Sequence, residues 1–158
     1  MKIYEAKKKD FVISTDKTKL DIELIHHYLC KESYWAKNIP LHVVKKSVTG
    51  SCCFGLYMNK NKTRPVLRQV GFARVVTDHA TFGYIADVFI LEEYRGKGLS
   101  KWLMEEIMKH PDLQGLRRWM LATKDAHGLY AQFGFLPLDK PERIMGLRPF
   151  EEYPAINS

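Results

Sequence analysis

Residues 82–107, FGYIADVFILEEYRGKGLSKWLMEEI, constrain the fold more than any other stretch of this chain. Residues 84–91 are rich in aromatic and β-branched side chains and read as a strand, whereas Leu99, Trp102, Leu103 and Ile107 fall on one stripe of an amphipathic helix. Between them lies the turn Arg95-Gly96-Lys97-Gly98-Leu99-Ser100. Glycine there removes side chains from the opening turn of a helix whose leading N–H groups have no intrahelical partner. Such a turn can hold an anion against backbone amides and the positive end of the helix dipole, with Arg95 and Lys97 adding charge.

The spacing excludes two familiar phosphate loops. A Walker loop needs an upstream Gly and a hydroxyl residue directly after its Gly-Lys pair, and neither accompanies Gly96-Lys97. A dinucleotide fingerprint needs a third Gly where Lys101 stands. What remains is Arg-x-x-Gly-x-Ser, with Arg95, Gly98 and Ser100 opening the helix, a pattern suited to a pyrophosphate without a metal.

With 158 residues and 46% hydrophobic content, the chain is expected to form one domain, 1–158, around a substantial core. No apolar run is long enough to cross a bilayer, and the opening MKIYEAKKKDF lacks the apolar segment of a signal peptide, so a soluble cytoplasmic protein is expected. Cys30, Cys52 and Cys53 form no CxxC pair, and adjacent Cys52 and Cys53 would point to opposite faces of a strand, which reads as isolated thiols rather than a zinc site. The net charge of +7 and pI near 9.3 fit a phosphate-rich partner, whether nucleic acid or a nucleotide cofactor. The basic residues are scattered, at 7–9, at Lys60, Lys62 and Arg64, and at Arg117 and Arg118, with no continuous basic stripe on any helix, which argues against nucleic acid.

In chain order, Phe11, Val12 and Ile13 read as a short strand, and Asp16 or Thr18 as the cap of a helix carrying Leu20, Ile22, Leu24, Ile25 and Leu29. Residues 32–40 mix polar and aromatic side chains and read as a short helix or irregular arm, with Trp35 packed onto the domain. Residues 51–58, 66–76 and 84–91 then form three strands joined by polar turns at 59–63 and 77–81, an antiparallel meander in which Gly71 marks a bend. After the central helix, residues 116–122 read as a strand reached by a parallel crossover. Thr123 or Asp125 caps a last short helix that Gly134 ends, and residues 135–138 and 144–148 read as two further strands. The fold class is therefore mixed α/β, antiparallel at first and parallel across the central helix.

The segment 94–99, Tyr-Arg-Gly-Lys-Gly-Leu, and the later Ala-His-Gly-Leu-Tyr-Ala-Gln-Phe-Gly-Phe at 126–135 resemble the GCN5-related N-acetyltransferase (GNAT) family. The family's Gln/Arg-x-x-Gly-x-Gly/Ala motif is similar to Arg95, Gly96, Lys97, Gly98, Leu99 and Ser100, with Ser100 in place of the usual small apolar residue. The resemblance implies a GNAT-like mixed sheet and acetyl-CoA as cofactor. Its pyrophosphate would lie over the amides of residues 95–100, and the backbone of Val88, Phe89 and Ile90 would pair with the pantetheine arm. It further implies that Tyr130 protonates the departing thiolate, a role its ordinary pKa near 10 permits. Asp87, a carboxylate in an otherwise apolar strand, is a candidate general base or a structural group, its phase open to change by a bulge. His26, His27 and His79 are alternative bases, and His127 stands one turn before Tyr130. The implied reaction is direct acetyl transfer to a primary amine of a small molecule rather than a protein, with a non-catalytic acyl-CoA sensor as the alternative. Residues 20–48, with His27, Tyr34 and Trp35, would form the acceptor wall. Neither a nucleic acid nor a membrane partner is expected, and a homodimer is compatible with the pattern.

Overall fold

A computed structural model describes residues 2–61, 63–64 and 66–154; Lys62, assigned above to the polar turn, lies outside the described residues. Six strands, β1 (Glu5–Lys8), β2 (Phe11–Ser14), β3 (Cys52–Asn59), β4 (Leu67–Thr77), β5 (Phe82–Ile90) and β6 (Arg118–Leu121), form one sheet in the order of the sequence. Every neighbouring pair is antiparallel except β5 and β6, which run parallel because helix α3 (Leu99–Lys109) connects them. The expected meander and crossover are both present.

Two cores lie on the two faces of this sheet. Leu99, Trp102, Leu103, Met104 and Ile107 of α3 bury against Phe54, Leu56, Val75 and Ile85, as their helical stripe requires. On the other face, helices α1 (Ile22–His27) and α2 (Leu41–Thr49) bury Ile25, Val44 and Val48 against Cys53, Phe72 and Phe89. Cys52 joins the first core and Cys53 the second, the opposite facing that period-two alternation dictates. All three cysteines are buried, and burial pushes the Cys52 thiol up to about 11 and the Cys53 thiol up to about 12. Neither resembles a thiolate nucleophile.

Several local expectations are corrected. The opening strand is half of a hairpin, whose first strand β1 is charged and was not anticipated. Asp16 caps only a 3-10 turn (Lys17–Lys19), and Asp21 caps α1 by accepting from the Leu24 N–H at 2.9 Å. Helix α1 then widens into a π turn (Tyr28–Glu32) instead of continuing as an α-helix. Of the two readings of the stretch after it, the irregular arm is the one present, at residues 33–40, pinned where Ser33 Oγ donates to Leu29 O at 2.6 Å and accepts from the Ala36 N–H at 3.2 Å. The two strands expected at 135–138 and 144–148 do not form: these residues carry no strand pairing, and Leu136 is 79% and Met145 95% exposed. Their apolar pattern lacks a sheet partner, and Pro137 removes one ladder donor. Among the described residues no helix is long and apolar enough to cross a membrane.

Candidate active site

The turn after β5 has the geometry its glycines predict. Gly96 and Gly98 sit at φ of +74° and +72°, left-handed values that strain other residues, and Gly98 is the N-cap of α3. A Cβ on either would meet no heavy atom within 4 Å, so the cradle opens outward toward any group that docks on the helix N-terminus. Leu99 is buried beneath it and Ser100 half-buried, which leaves the loop's outer face to main chain. Arg95 is exposed but tied back to the protein. Its guanidinium donates to Ile90 O at 3.1 Å and to the Tyr28 hydroxyl at 2.9 Å, and its N–H donates to Glu92 O. Arg95 thus braces the loop against the end of β5 and against Tyr28, whose ring stacks on Phe89 at 3.9 Å. Lys97 lies over the Tyr94 ring, 5.5 Å from its centroid.

β5 and β6 pair only from Phe82↔Arg118 to Ile85↔Leu121. Beyond that point they part, and the edge of β5 at Val88, Phe89 and Ile90 is unpaired on the β6 side, free to bond an extended amide ligand. A bulge lies in the same place. Opposite β4 the register passes from Phe72↔Phe89 to Arg74↔Ala86, which leaves one extra residue on β5, and Asp87 adopts φ +53°. The bulge changes the phase of the strand: Ile85 packs on the α3 side and Phe89, four residues later, on the α1–α2 side. Asp87 therefore turns toward Arg74 and the arm. Arg74 Nε donates to Asp87 Oδ2 at 2.5 Å and the Trp35 indole N–H to Oδ1 at 2.9 Å, on a carboxylate only 8% exposed.

A cavity of about 530 Å³ opens at this split. Its walls include Tyr34 and Trp35 from the arm, Tyr84 and Asp87 from β5, and Tyr130 from helix α4 (His127–Ala131), with Tyr153 contributed by the C-terminal tail. Thr123 Oγ1 accepts from the Ala126 N–H at 3.0 Å to start α4, and Gly134, at φ +85°, ends the turn after it. Tyr130 is buried, edge-on to Phe135, and burial pushes its hydroxyl up to about 12. Tyr130 and Asp87, singled out separately in the sequence, thus line one space. His26, His27, His79 and His127 do not line it: His26 Nε2 is 3.0 Å from Ile39 O, His27 faces Glu32 at 3.6 Å, and His79 sits at a turn. Arg74 and Tyr153 were missed. The Arg74 position was recoverable, since folding the 77–81 turn back as a hairpin sets Arg74 across from Ala86, next to Asp87.

Comparison with known proteins agrees with this fold. The acetyltransferase (GNAT) domain family matches residues 51–137. An acetyltransferase-like protein of Gibberella zeae, FG08082, is 35% identical over 138 residues, covering 78% of this chain and 77% of its own. The crystal structure of a GNAT-family acetyltransferase-like protein from Xanthomonas campestris shares 51% identity over 87% of this chain and 92% of its own, with a TM-score of 0.81. An acetyltransferase-like protein from Clostridium acetobutylicum, solved with acetyl-CoA, shares the fold at 13% identity and a TM-score of 0.60, over 93% of this chain and 95% of its own. The chain belongs to the GNAT family of acetyltransferases.

Proposed function

We propose that this protein transfers the acetyl group of acetyl-CoA directly to the primary amine of a small molecule. The observation that carries the reading is the cavity at the β5–β6 split, where the buried Tyr130 hydroxyl, the Asp87 carboxylate and an unpaired strand edge meet. The residues fit the cofactor. The cradle at Gly96 and Gly98 leaves room for a pyrophosphate against the amides that open α3, and Val88, Phe89 and Ile90 offer main-chain partners for the pantetheine amides. When bound, acetyl-CoA supplies the acetyl group as an activated thioester.

The chain's own residues do the rest. Tyr130, held protonated through the neutral range by burial, donates its proton to the departing thiolate. Asp87 orients the amine: a carboxylate has about four acceptor positions, and Arg74 and Trp35 occupy two. The remaining lone pairs can accept from the amine and take its proton as nitrogen bonds to carbon. Buried, thiol-protonated Cys52 and Cys53 agree with direct attack rather than an acyl-enzyme. The test is release of free thiol from acetyl-CoA across a panel of primary amines, paired with calorimetric titration of CoA. Binding of CoA together with amine-dependent release is expected; CoA binding without release by any amine would leave a sensor in place of an enzyme.

A further inference from the structure

The tail that follows α4 crosses to the opposite wall of the cavity. After a 3-10 turn (Pro141–Arg143) it carries no regular structure, yet Tyr153 is partly buried against the α1–α2 core and lines the cavity. It is fastened to the arm beside Tyr34, Trp35 and Ala36. Glu152 pairs with Lys37 at 3.6 Å, the Asn38 side-chain amide donates to Tyr153 O at 3.5 Å, and Phe150 packs edge-on to the Tyr153 ring at 5.2 Å. The arm and the tail both lie outside the stretch 51–137 that matches the family model.

We propose that the tail is the outer wall of the acceptor site and that Tyr153 determines specificity, selecting compact amines with a flat apolar body over amines carried on a peptide. The inference rests on the transferase reading. Tyr34, Trp35, Tyr84, Tyr130 and Tyr153 are among the residues that line the cavity, and its charged lining residues are Arg74, Asp87, Lys124 and Asp125. Arg74 is paired with Asp87, and Lys124 lies over the Tyr34 ring, 5.6 Å from its centroid. A flat apolar amine would exchange water for these faces while its nitrogen meets the acceptor positions that Arg74 and Trp35 leave free on Asp87. A peptide needs an open groove on both sides of its reacting side chain, and the tail occupies one of them.

The test uses the full chain with saturating acetyl-CoA and two acceptors, phenethylamine and a lysine-containing peptide blocked at its N-terminus. The unsubstituted protein is expected to prefer phenethylamine in kcat/KM by about tenfold or more, the discrimination a shaped apolar pocket achieves. Tyr153→Ala is expected to raise KM for phenethylamine about tenfold with a smaller change in kcat, to narrow the preference against the peptide, and to leave CoA affinity unchanged. Tyr153→Phe, which keeps the ring, should restore the preference. A merely structural tail would lower kcat and the melting temperature together and leave the ratio alone. Turnover with an unchanged ratio in Tyr153→Ala, or preference of the unsubstituted protein for the peptide, overturns the wall alone. Release with neither of these two acceptors also overturns the wall, whereas the transferase reading falls only if no amine of the wider panel gives release.

Discussion

The loop between β5 and α3 presents main chain, with two glycines at positive φ and open space where their Cβ atoms would stand, whereas the cavity beside it is walled by side chains from the arm, β4, β5, α4 and the tail. The two regions should fail differently. A backbone cradle is insensitive to which functional groups surround it and is damaged by any added Cβ or altered φ. A side-chain cavity tolerates conservative changes of bulk and loses function with a single hydroxyl or carboxylate. Substitutions in the loop should therefore move cofactor affinity, and substitutions in the cavity should move turnover and acceptor KM.

The largest effect expected is at Tyr130. Tyr130→Phe keeps the ring against Phe135 and removes only the hydroxyl, so turnover should fall about 10²- to 10⁴-fold with CoA affinity and melting temperature nearly unchanged. Initial rates at saturating substrates, a CoA titration and a thermal melt together measure this. The pH profile sharpens it. Burial raises the folded-state value to about 12, above the unfolded value near 10. The contribution to stability is therefore complete below about pH 10 and is lost as pH rises through the folded value. Tyr130 should accordingly impose no alkaline limb on the rate below about pH 10. Equal turnover by Tyr130→Phe across the pH range would remove the chemistry from this half of the site.

Next in size is Asp87→Asn, which leaves the Arg74 guanidinium without its anion in a setting where both side chains are mostly buried. A loss of about 1–3 kcal/mol in unfolding free energy is expected, with a fall in kcat, a rise in acceptor KM and little change in CoA affinity. Denaturant unfolding and paired kinetics separate the two roles. A stability loss with unchanged kinetics would make Asp87 a strut for the bulge rather than a partner of the amine.

How much of this was legible beforehand follows the same division. Positive φ demands glycine, so Gly96 and Gly98 advertise their cradle in the sequence, and a stripe at 99, 102, 103 and 107 advertises the helix that backs it. The bulge at Asp87 was a suspicion, because an acid in an apolar strand announces a need without saying how it is met. Trp35 was expected to pack, and does so only partly: 38% exposed, it spends its N–H on Asp87. Trp35 and Tyr153 join Arg74 and Asp87 only through tertiary packing, which no local periodicity encodes. The apolar run at 135–148 failed in the opposite sense, since a strand needs an edge to pair with as well as a pattern.

Gly98→Ala should have a smaller effect than either cavity substitution on turnover but a clear one on the cofactor. At φ +72° alanine costs about 1–2 kcal/mol of backbone strain, and its methyl would stand in the space a pyrophosphate needs, so CoA affinity should fall about tenfold or more. Calorimetric titration with a melt distinguishes occlusion from collapse. A normal affinity in a folded Gly98→Ala protein would mean that the anion sits elsewhere.

The smallest effect is expected at Lys97, and it sets the two materials against each other within one loop. The Lys97 ammonium lies over the Tyr94 ring, and Arg68 flanks that ring 5.9 Å from its centroid while pairing with Glu93 at 2.9 Å. An exposed cation–π contact is worth about 0.5–1 kcal/mol, and the flexible lysine stem gives no fixed bond geometry to a phosphate. Removing the charge in Lys97→Ala should weaken CoA binding by about two- to threefold at low ionic strength, and that difference should vanish near 0.5 M salt, where screening acts within about 4–5 Å. Titrations of both proteins at the two salt concentrations decide it. If Lys97→Ala loses more affinity than Gly98→Ala, and loses it at both salts, the grip on the cofactor is made by a side chain and the contrast between the two halves of the site does not hold.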